Sequence, residues 1–327
     1  METIKKAFKD KKFDNLYFFY GEEVYLSNFY VGALKKELIE NDEFNYTRLF
    51  CDDLEARFQE SVEAMPVFEE NRMVVVTSRD FSAEVKEDIY KLLEEMLEDM
   101  PSYTYVVFVC GNIKKTSKIF KLLSSKCTTC VFEKQKPAQL ISWICNVFAK
   151  KGYGIEKETA SFLLEYAGSD MTKLLKEIEK LSAYELKTKA ITEDSIKAVV
   201  TRTIDSQVFE LLDAVMYKKR DTAFEILNSL MREKEEPVYI NGALMRNISG
   251  VLQYKILKSE GQPISAISEK MGLRPFVQKK YAEFDKKFTE EFLQQMLDSC
   301  AYCDIGFKTG EMEGYTGLSL LIGTMLQ

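Results

Sequence analysis

The sequence predicts an α/β domain followed by an all-α region, on three observations. Up to Pro137, short continuous apolar runs rich in β-branched and aromatic residues alternate with helix-period stripes. Such runs suit strands buried on both faces of a parallel sheet. Beyond Pro137 the apolar spacing is helical throughout. At 327 residues the chain is also too long for one comfortable core, so two or three domains are expected.

Taken in order, Asn15 to Tyr20 is an aromatic-rich run ending at Gly21 and reads as the first buried strand. Leu26 to Glu40 reads as a helix. Leu54, Phe58, Val62 and Met65, spaced i, i+4, i+8, i+11, mark the apolar face of another. Met73 to Thr77 is β-branched and reads as a second strand. Val85, Ile89, Leu92, Met96 and Met100 stripe an acidic helix stopped by Pro101. Tyr105 to Cys110, closed by Gly111, is a third strand. Lys118 to Ser124 is helical, and Cys130 to Phe132 a last short strand. Strands alternating with helices imply three layers around a mainly parallel sheet.

The helical part divides further. Ala160, Leu163, Leu164 and Ala167 form a stripe ended by Gly168; Leu174, Ile178 and Leu181 form the next. Thr192 reads as the N-cap of a helix over Glu193 to Val200. From Ser206 the helices lengthen, with faces at Val208, Leu211, Leu212, Val215 and at Ala223, Ile226, Leu227, Leu230. Gly272 suits a helix C′ position and Pro275 a first turn. The predicted domains are 1–137, 138–205 and 206–327.

Composition narrows the function. With 46% hydrophobic and 30% charged residues the chain is ordinary globular material, not a disordered one. No apolar run approaches the ~20 residues needed to span a bilayer, and lysine-rich Met1 to Lys12 is not a signal peptide. A cytoplasmic location with no membrane partner is expected. Seven scattered cysteines read as reduced thiols. The net charge of −7 confines any DNA contact to a local patch. Histidine is absent, which excludes Ser-His-Asp and Cys-His nucleophiles and His-containing zinc sites.

A sheet strand ending in glycine and feeding a helix is where a phosphate-binding loop would sit. The motif G-x-x-x-x-G-K-[ST] begun at Gly21 needs a second glycine five residues on, then a lysine, then a serine or threonine. The chain has Leu26, Ser27 and Asn28 in those places. Glu22 and Glu23 would repel phosphate where the motif needs bare N–H groups and a lysine. The second predicted strand ends Val76-Thr77-Ser78, without the acidic pair that holds Mg²⁺. No catalytic residue, nucleotide cofactor or metal is expected. Two readings stay open here: an ATPase scaffold stripped of its chemistry, or an unrelated α/β protein in which Gly21 merely ends a strand.

Four segments carry a more specific signal. They are Leu16 to Glu23 with Tyr25-Leu26; Met65-Pro66-Val67-Phe68 with Arg72 to Val76; Gly168 to Met171 with Glu177 to Leu181; and Pro275 to Lys279 with Asp304 to Gly310. In order and spacing they resemble the delta subunit family of the bacterial DNA polymerase III clamp loader. The resemblance implies a degenerate AAA+-like three-layer α/β domain, a small helical lid and a C-terminal helical collar used in oligomerisation. It implies a subunit that binds and opens the ring-shaped sliding clamp (beta) for loading onto primed DNA. The implied partners are that clamp, the motor (tau/gamma) subunits that hydrolyse ATP, and delta-prime. It further implies that a hydrophobic pair, here Val67 and Phe68 flanked by Met65 and Pro66, wedges into the clamp. The family's usual pair is Leu-Phe, so Val67 is a departure. By pattern alone Phe68 reads as core leading into the Met73 strand; the family context favours the wedge.

Other features weigh less. Cys127/Cys130 and Cys300/Cys303 are both C-x-x-C, but a four-thiolate site would have to form across half the chain, and core packing is the better account. Lys114, Lys115, Lys118, Lys121, Lys126, Lys134 and Lys136 form a basic stretch; a solvated face is the plainer reading, contact with DNA phosphates or an acidic partner the sharper one. Trp143 reads as lid core beside Ile141, Ile144 and Val147, and Glu177, Glu179 and Lys180 as an exposed charged face. The competing functions are an AAA+-class ATPase with an unorthodox nucleotide site and a DNA-binding regulator.

Overall fold

The structure, a computed structural model, describes residues 1–40, 42–273 and 275–327. It divides into two compact units, Met1–Lys136 and Pro137–Gln327.

The first unit runs α1 (Glu2–Asp10), β1 (Leu16–Tyr20), α2 (Val24–Leu38), α3 (Asp42–Asn45), β2 (Tyr46–Phe50), α4 (Leu54–Glu63), β3 (Arg72–Ser78), α5 (Phe81–Glu84), α6 (Glu87–Met96), β4 (Thr104–Cys110), α7 (Lys118–Lys126) and β5 (Thr128–Val131). The five strands are all parallel, in the order β2-β3-β4-β1-β5. Alternation along β1, β3 and β4 builds the three layers. Phe18, Val74, Val76, Val106 and Phe108 pack with α4, α6 and α7 on one face. Tyr17, Phe19, Met73, Val75 and Val107 pack with α1 and α2 on the other.

Three details differ from the sequence reading. Tyr46–Phe50 is a strand that periodicity does not reveal: as the sheet edge it buries only Leu49, and Arg48 interrupts its apolar run. Met73–Thr77 is therefore in the third strand of the chain. On α6 the fully buried stripe is Ile89, Leu93, Leu97, and Leu92, Met96 and Met100 are half-buried neighbours. Adjacent leucines at 92 and 93 make both registers plausible on paper. Met65 does not close the α4 stripe. The helix ends at Glu63, Ala64 turns extended at φ −58, ψ 130, and Pro66 holds Met65 out of the helical region, leaving it 76% exposed.

The second unit begins with α8 (Pro137–Lys150), β6 (Gly154–Ile155), α9 (Lys157–Ala167), α10 (Met171–Tyr184), β7 (Ala190–Ile191) and α11 (Glu193–Val199). Thr192 caps α11, accepting from the Ser195 N–H at 3.2 Å. The buried face of α8 is Leu140, Ile144, Phe148; Trp143 lies a quarter-turn away and is only half-buried, not core. Glu177 and Lys180 are no mere exposed face either. They pair at 2.6 Å, Glu177 accepts from the Thr201 N–H, and Lys180 donates to Val199 O and Thr201 Oγ1. Together they fasten the chain leaving α11.

There follow α12 (Ile204–Met216), α13 (Arg220–Arg232), α14 (Pro237–Ser259), α15 (Ile264–Met271), α16 (Pro275–Lys287), α17 (Glu290–Thr309) and α18 (Gly314–Met325). They share one core, in which Leu211, Leu212, Val215, Leu227 and Leu230 are buried. Gly272 ends α15 in the left-handed conformation at φ 63. The side chains of Pro275 and Phe276, in the fourth resembling segment, lie outside the described residues.

Candidate functional site

In an open parallel sheet the crevice beyond the carboxyl ends of the strands is where nucleotides bind. Here that edge holds a cavity of about 680 Å³ lined by Gly21, Ser27, Asn28, Cys51, Ser78 and Cys110, among others. Two main-chain donors at the start of the loop are already engaged. The Gly21 N–H is shared between Cys110 O at 3.1 Å and Gly111 O at 3.2 Å, and the Glu23 N–H donates to Phe132 O at 2.9 Å. Gly21 sits at φ +133, and a Cβ there would meet Phe132 O at 2.2 Å. This glycine serves a close approach to the end of β5, not a phosphate.

The positions that would carry nucleotide chemistry are bound internally too. Ser27 Oγ donates to Val24 O at 2.9 Å. Asn28 Oδ1 accepts from Arg48 Nη2 at 2.9 Å, and Arg48 Nε donates to Thr77 Oγ1 at 3.3 Å. Leu26 is half-buried, Glu23 is buried, and Glu22 pairs with Lys134 at 3.3 Å. Ser78 Oγ, where an acidic group would hold Mg²⁺, instead donates to Glu84 Oε2 at 2.6 Å. Burial pushes the Cys51 and Cys110 thiols up to about 11, so both stay protonated. The cavity lining carries two carboxylates, Asp52 and Glu84, against the single cation Arg79, a balance unlike the lysine-and-glycine cradle a triphosphate needs.

The α4–β3 connection lies at the opposite, amino-terminal edge of the same sheet, because every strand is parallel. Its two ends are firmly held. The last carbonyls of α4 are capped by side chains from other elements. Arg72 Nε donates to Ser61 O at 2.6 Å, Thr104 Oγ1 to Val62 O at 2.8 Å, and the Tyr103 hydroxyl to Glu63 O at 3.0 Å. Arg72 also donates to Phe44 O and to Thr47 Oγ1. It is 9% exposed, and burial pushes its guanidinium down from the usual value.

Within the connection, the Val67 backbone is gripped on both sides by one amide. Asn45 Nδ2 donates to Val67 O at 2.9 Å, and the Val67 N–H donates to Asn45 Oδ1 at 2.7 Å. Glu69 and Asn71 tie the far end of the connection to the end of α2. Glu69 Oε2 accepts from the Glu40 N–H at 3.0 Å, and Asn71 Nδ2 reaches Leu38 O at 3.4 Å. Between these anchors Phe68 stands 95% exposed in the left-handed region at φ 61, with Val67 37% exposed. A core role for Phe68 is thereby excluded. An aromatic side chain fully in solvent on a left-handed backbone is uncommon, and the surrounding hydrogen bonds hold it there.

The basic stretch is broken up by carboxylates. Lys118 pairs with Glu87 at 3.5 Å and Lys126 with Glu98 at 3.0 Å. Lys114, Lys115 and Lys121 are exposed and, among the described residues, within 4 Å of no carboxylate. The two C-x-x-C pairs lie in different units, and all four thiols are buried. Burial drives Cys127 and Cys300 up to about 12, which opposes thiolate ligation. Sequence reasoning passes over Asn45, because a hydrogen bond spanning 22 residues leaves no periodic trace.

Comparison with known proteins gives a consistent result. Residues 17–135 match the family described as DNA polymerase III, delta subunit. Residues 205–325 match the DNA polymerase III delta subunit, C-terminal domain. The chain is 23% identical over 334 residues to the DNA polymerase III subunit delta of Bacillus subtilis (strain 168), covering 99% of this chain and 96% of that one. It is 24% identical over 302 residues to the "Probable DNA polymerase III subunit delta" of Aquifex aeolicus (strain VF5), covering 89% and 85%. The solved structure of the Bacillus subtilis DNA clamp loader delta protein superposes with a TM-score of 0.62 at 21% identity, covering 99% of both chains. At that identity the likeness speaks for the fold.

Proposed function

This chain belongs to the DNA polymerase III delta subunit family, and from that premise we propose that it binds and opens the ring-shaped sliding clamp through the Val67–Phe68 loop. As a delta subunit it is a non-catalytic part of the clamp loader. The observation that carries the proposed mechanism is Phe68, 95% exposed on a loop otherwise fastened at Val67 and Glu69. A preformed aromatic anchor loses little conformational freedom on docking, which is how a small contact gains affinity. Val67 adds a smaller apolar surface beside it, and Met65, 76% exposed, borders the pair.

The engaged phosphate-loop donors support a division of labour. The motor (tau/gamma) subunits bind and hydrolyse ATP, and this subunit, with delta-prime, completes the assembly that receives primed DNA. The proposed layout is an AAA+-like domain over 1–137, a lid over 138–205 and a collar over 206–327. The last coincides closely with the separately matched C-terminal family domain. Among the described residues no helix is long and apolar enough to cross a membrane, which is compatible with the proposed cytoplasmic site of action.

The test is a titration of the full chain with purified sliding clamp from the same organism. Saturable binding in the absence of ATP, and ATP-dependent loading only once the motor subunits are added, is the expected outcome. Absence of binding at micromolar clamp would refute the proposal.

A further inference from the structure

We infer that Asn45 is a positioning residue for the contact loop, holding Phe68 in its outward pose before any partner arrives. The inference rests on the reading of Phe68 as the clamp anchor and goes beyond it by naming what presets the anchor.

The geometry is that of a side chain imitating a neighbouring strand. Asn45 is fully buried, and its amide both donates to and accepts from the main chain of Val67, at 2.9 Å and 2.7 Å. One residue of an otherwise irregular loop thus has both backbone groups satisfied, as in a ladder. Pro66 fixes φ on one side of Val67. On the other, Phe68 takes φ 61, a region an aromatic residue occupies only when its surroundings determine it. The next fixed point is Glu69, held by the Glu40 N–H. Phe68 therefore turns outward between two clamped neighbours.

Arg72 supplies the frame for Asn45. Its guanidinium binds Phe44 O and Thr47 Oγ1, on either side of Asn45, and Ser61 O near the end of α4. These three hydrogen bonds of the buried cation end on neutral oxygens. Burying an unpaired guanidinium carries a desolvation cost, which these hydrogen bonds offset. What the guanidinium adds is registry between α3, which carries Asn45, and α4, which delivers the loop.

The decisive experiment is a double-mutant cycle on the full chain, titrated with purified sliding clamp: wild type, Asn45→Ala, Phe68→Ala and the double variant. Releasing one strained loop from its pose is expected to weaken binding by about tenfold in the Asn45→Ala variant. In the Phe68→Ala background the same change should cost less than about twofold, since no anchor remains to be positioned. An equal loss in both backgrounds would overturn the inference, as would unchanged affinity in Asn45→Ala. If Phe68→Ala alone binds normally, the anchor reading fails in that single variant and the inference falls with it. Hydrogen exchange on the unmutated chain provides a check that does not depend on any variant folding. The Val67 amide should be protected well above a free loop before clamp is added; exchange at the free-loop rate would overturn the inference.

Discussion

Truncating Phe68 separates a contact role from a folding role because the structure sets the two magnitudes far apart. With 95% of the residue exposed, Phe68→Ala removes almost no internal contact. Folding stability should change by less than about 1 kcal/mol, as at other surface sites. On the clamp side, a phenylalanine presents about 150–250 Å². Its complete desolvation at about 25 cal/mol per Å² sets a ceiling of about 4–6 kcal/mol. Ordering costs and incomplete burial lower that figure, and truncated aromatic anchors usually lose about 2 kcal/mol or more, about thirtyfold in affinity. Phe68→Gly is the internal control. It removes the same ring but suits φ 61, so it should melt above Phe68→Ala while binding clamp as poorly. Calorimetric melting and clamp titration on the same preparations read both quantities. A strongly destabilised Phe68→Ala whose folded fraction still binds clamp normally would refute the reasoning.

Three further outcomes follow from other parts of the molecule. Equilibrium dialysis with labelled ATP–Mg²⁺ should show no saturable binding in the low micromolar range, since the Gly21 and Glu23 donors are already engaged. Gly21→Ala should destabilise the first unit by about 2 kcal/mol or more, measured by denaturant titration, because its Cβ would meet main chain at 2.2 Å. In the second unit, burial pushes the Asp285 carboxyl up, but hydrogen bonds from Lys258 and Lys255 outweigh it and leave a net depression. A depressed carboxyl contributes stability above its unfolded value of about 4 and loses it as pH falls through the lower folded value; Asp285→Asn should flatten that acid limb of the melting curve.

The proposed assembly through the C-terminal bundle makes a prediction of its own. Leu211, Leu212, Val215, Leu227 and Leu230 are consumed by the bundle core, so they are unavailable to other subunits. Tyr302, Ile305 and Leu320 are 70%, 60% and 64% exposed. If assembly uses these exposed apolar positions, charging them with Ile305→Asp and Leu320→Asp should abolish co-purification with the motor subunits while clamp binding by the isolated chain persists. Loss of both activities together, or of neither, would count against assembly through these residues.

The parts of the fold that follow from period and composition are legible in the sequence. Buried β1, β3 and β4 appear as unbroken apolar runs, and the helices of the second unit as 3.6-residue stripes, because burial on fixed faces imposes those patterns. The edge strand β2 escapes because an edge is half solvated and Arg48 is tolerated there. The missing phosphate chemistry at Leu26, Ser27 and Asn28 is legible as wrong residue types. That Gly21 and Glu23 spend their N–H groups on other strands is not, since those partners lie some ninety and more residues onward. Likewise Phe68 is legible as an apolar residue after a proline, but its exposure depends on Asn45, Glu69 and Asn71 pinning the loop around it.

Sheet topology keeps the sheet-edge crevice and the proposed contact loop apart. All five strands are parallel, so the crevice where a phosphate loop would sit lies at their carboxyl ends and the Val67–Phe68 loop at their amino ends. The seven residues of β3 separate the two edges by about 20 Å, at about 3.3 Å per residue. The side chains that hold α4 and Val67, namely Asn45, Arg72, Tyr103 and Thr104, all sit at the starts of strands or before them. Substitutions around Gly21 could therefore accumulate without disturbing the anchor. The converse also holds, and it has an observable consequence. Supplying the motif's glycine and lysine through Leu26→Gly with Ser27→Lys should leave clamp affinity within about twofold, as expected for sites this far apart with no shared partners. It should still not create ATP binding, because the Gly21 and Glu23 N–H groups would remain bonded to Cys110, Gly111 and Phe132. Micromolar ATP binding by that double variant would mean that residue type alone, and not the closed backbone, keeps nucleotide out.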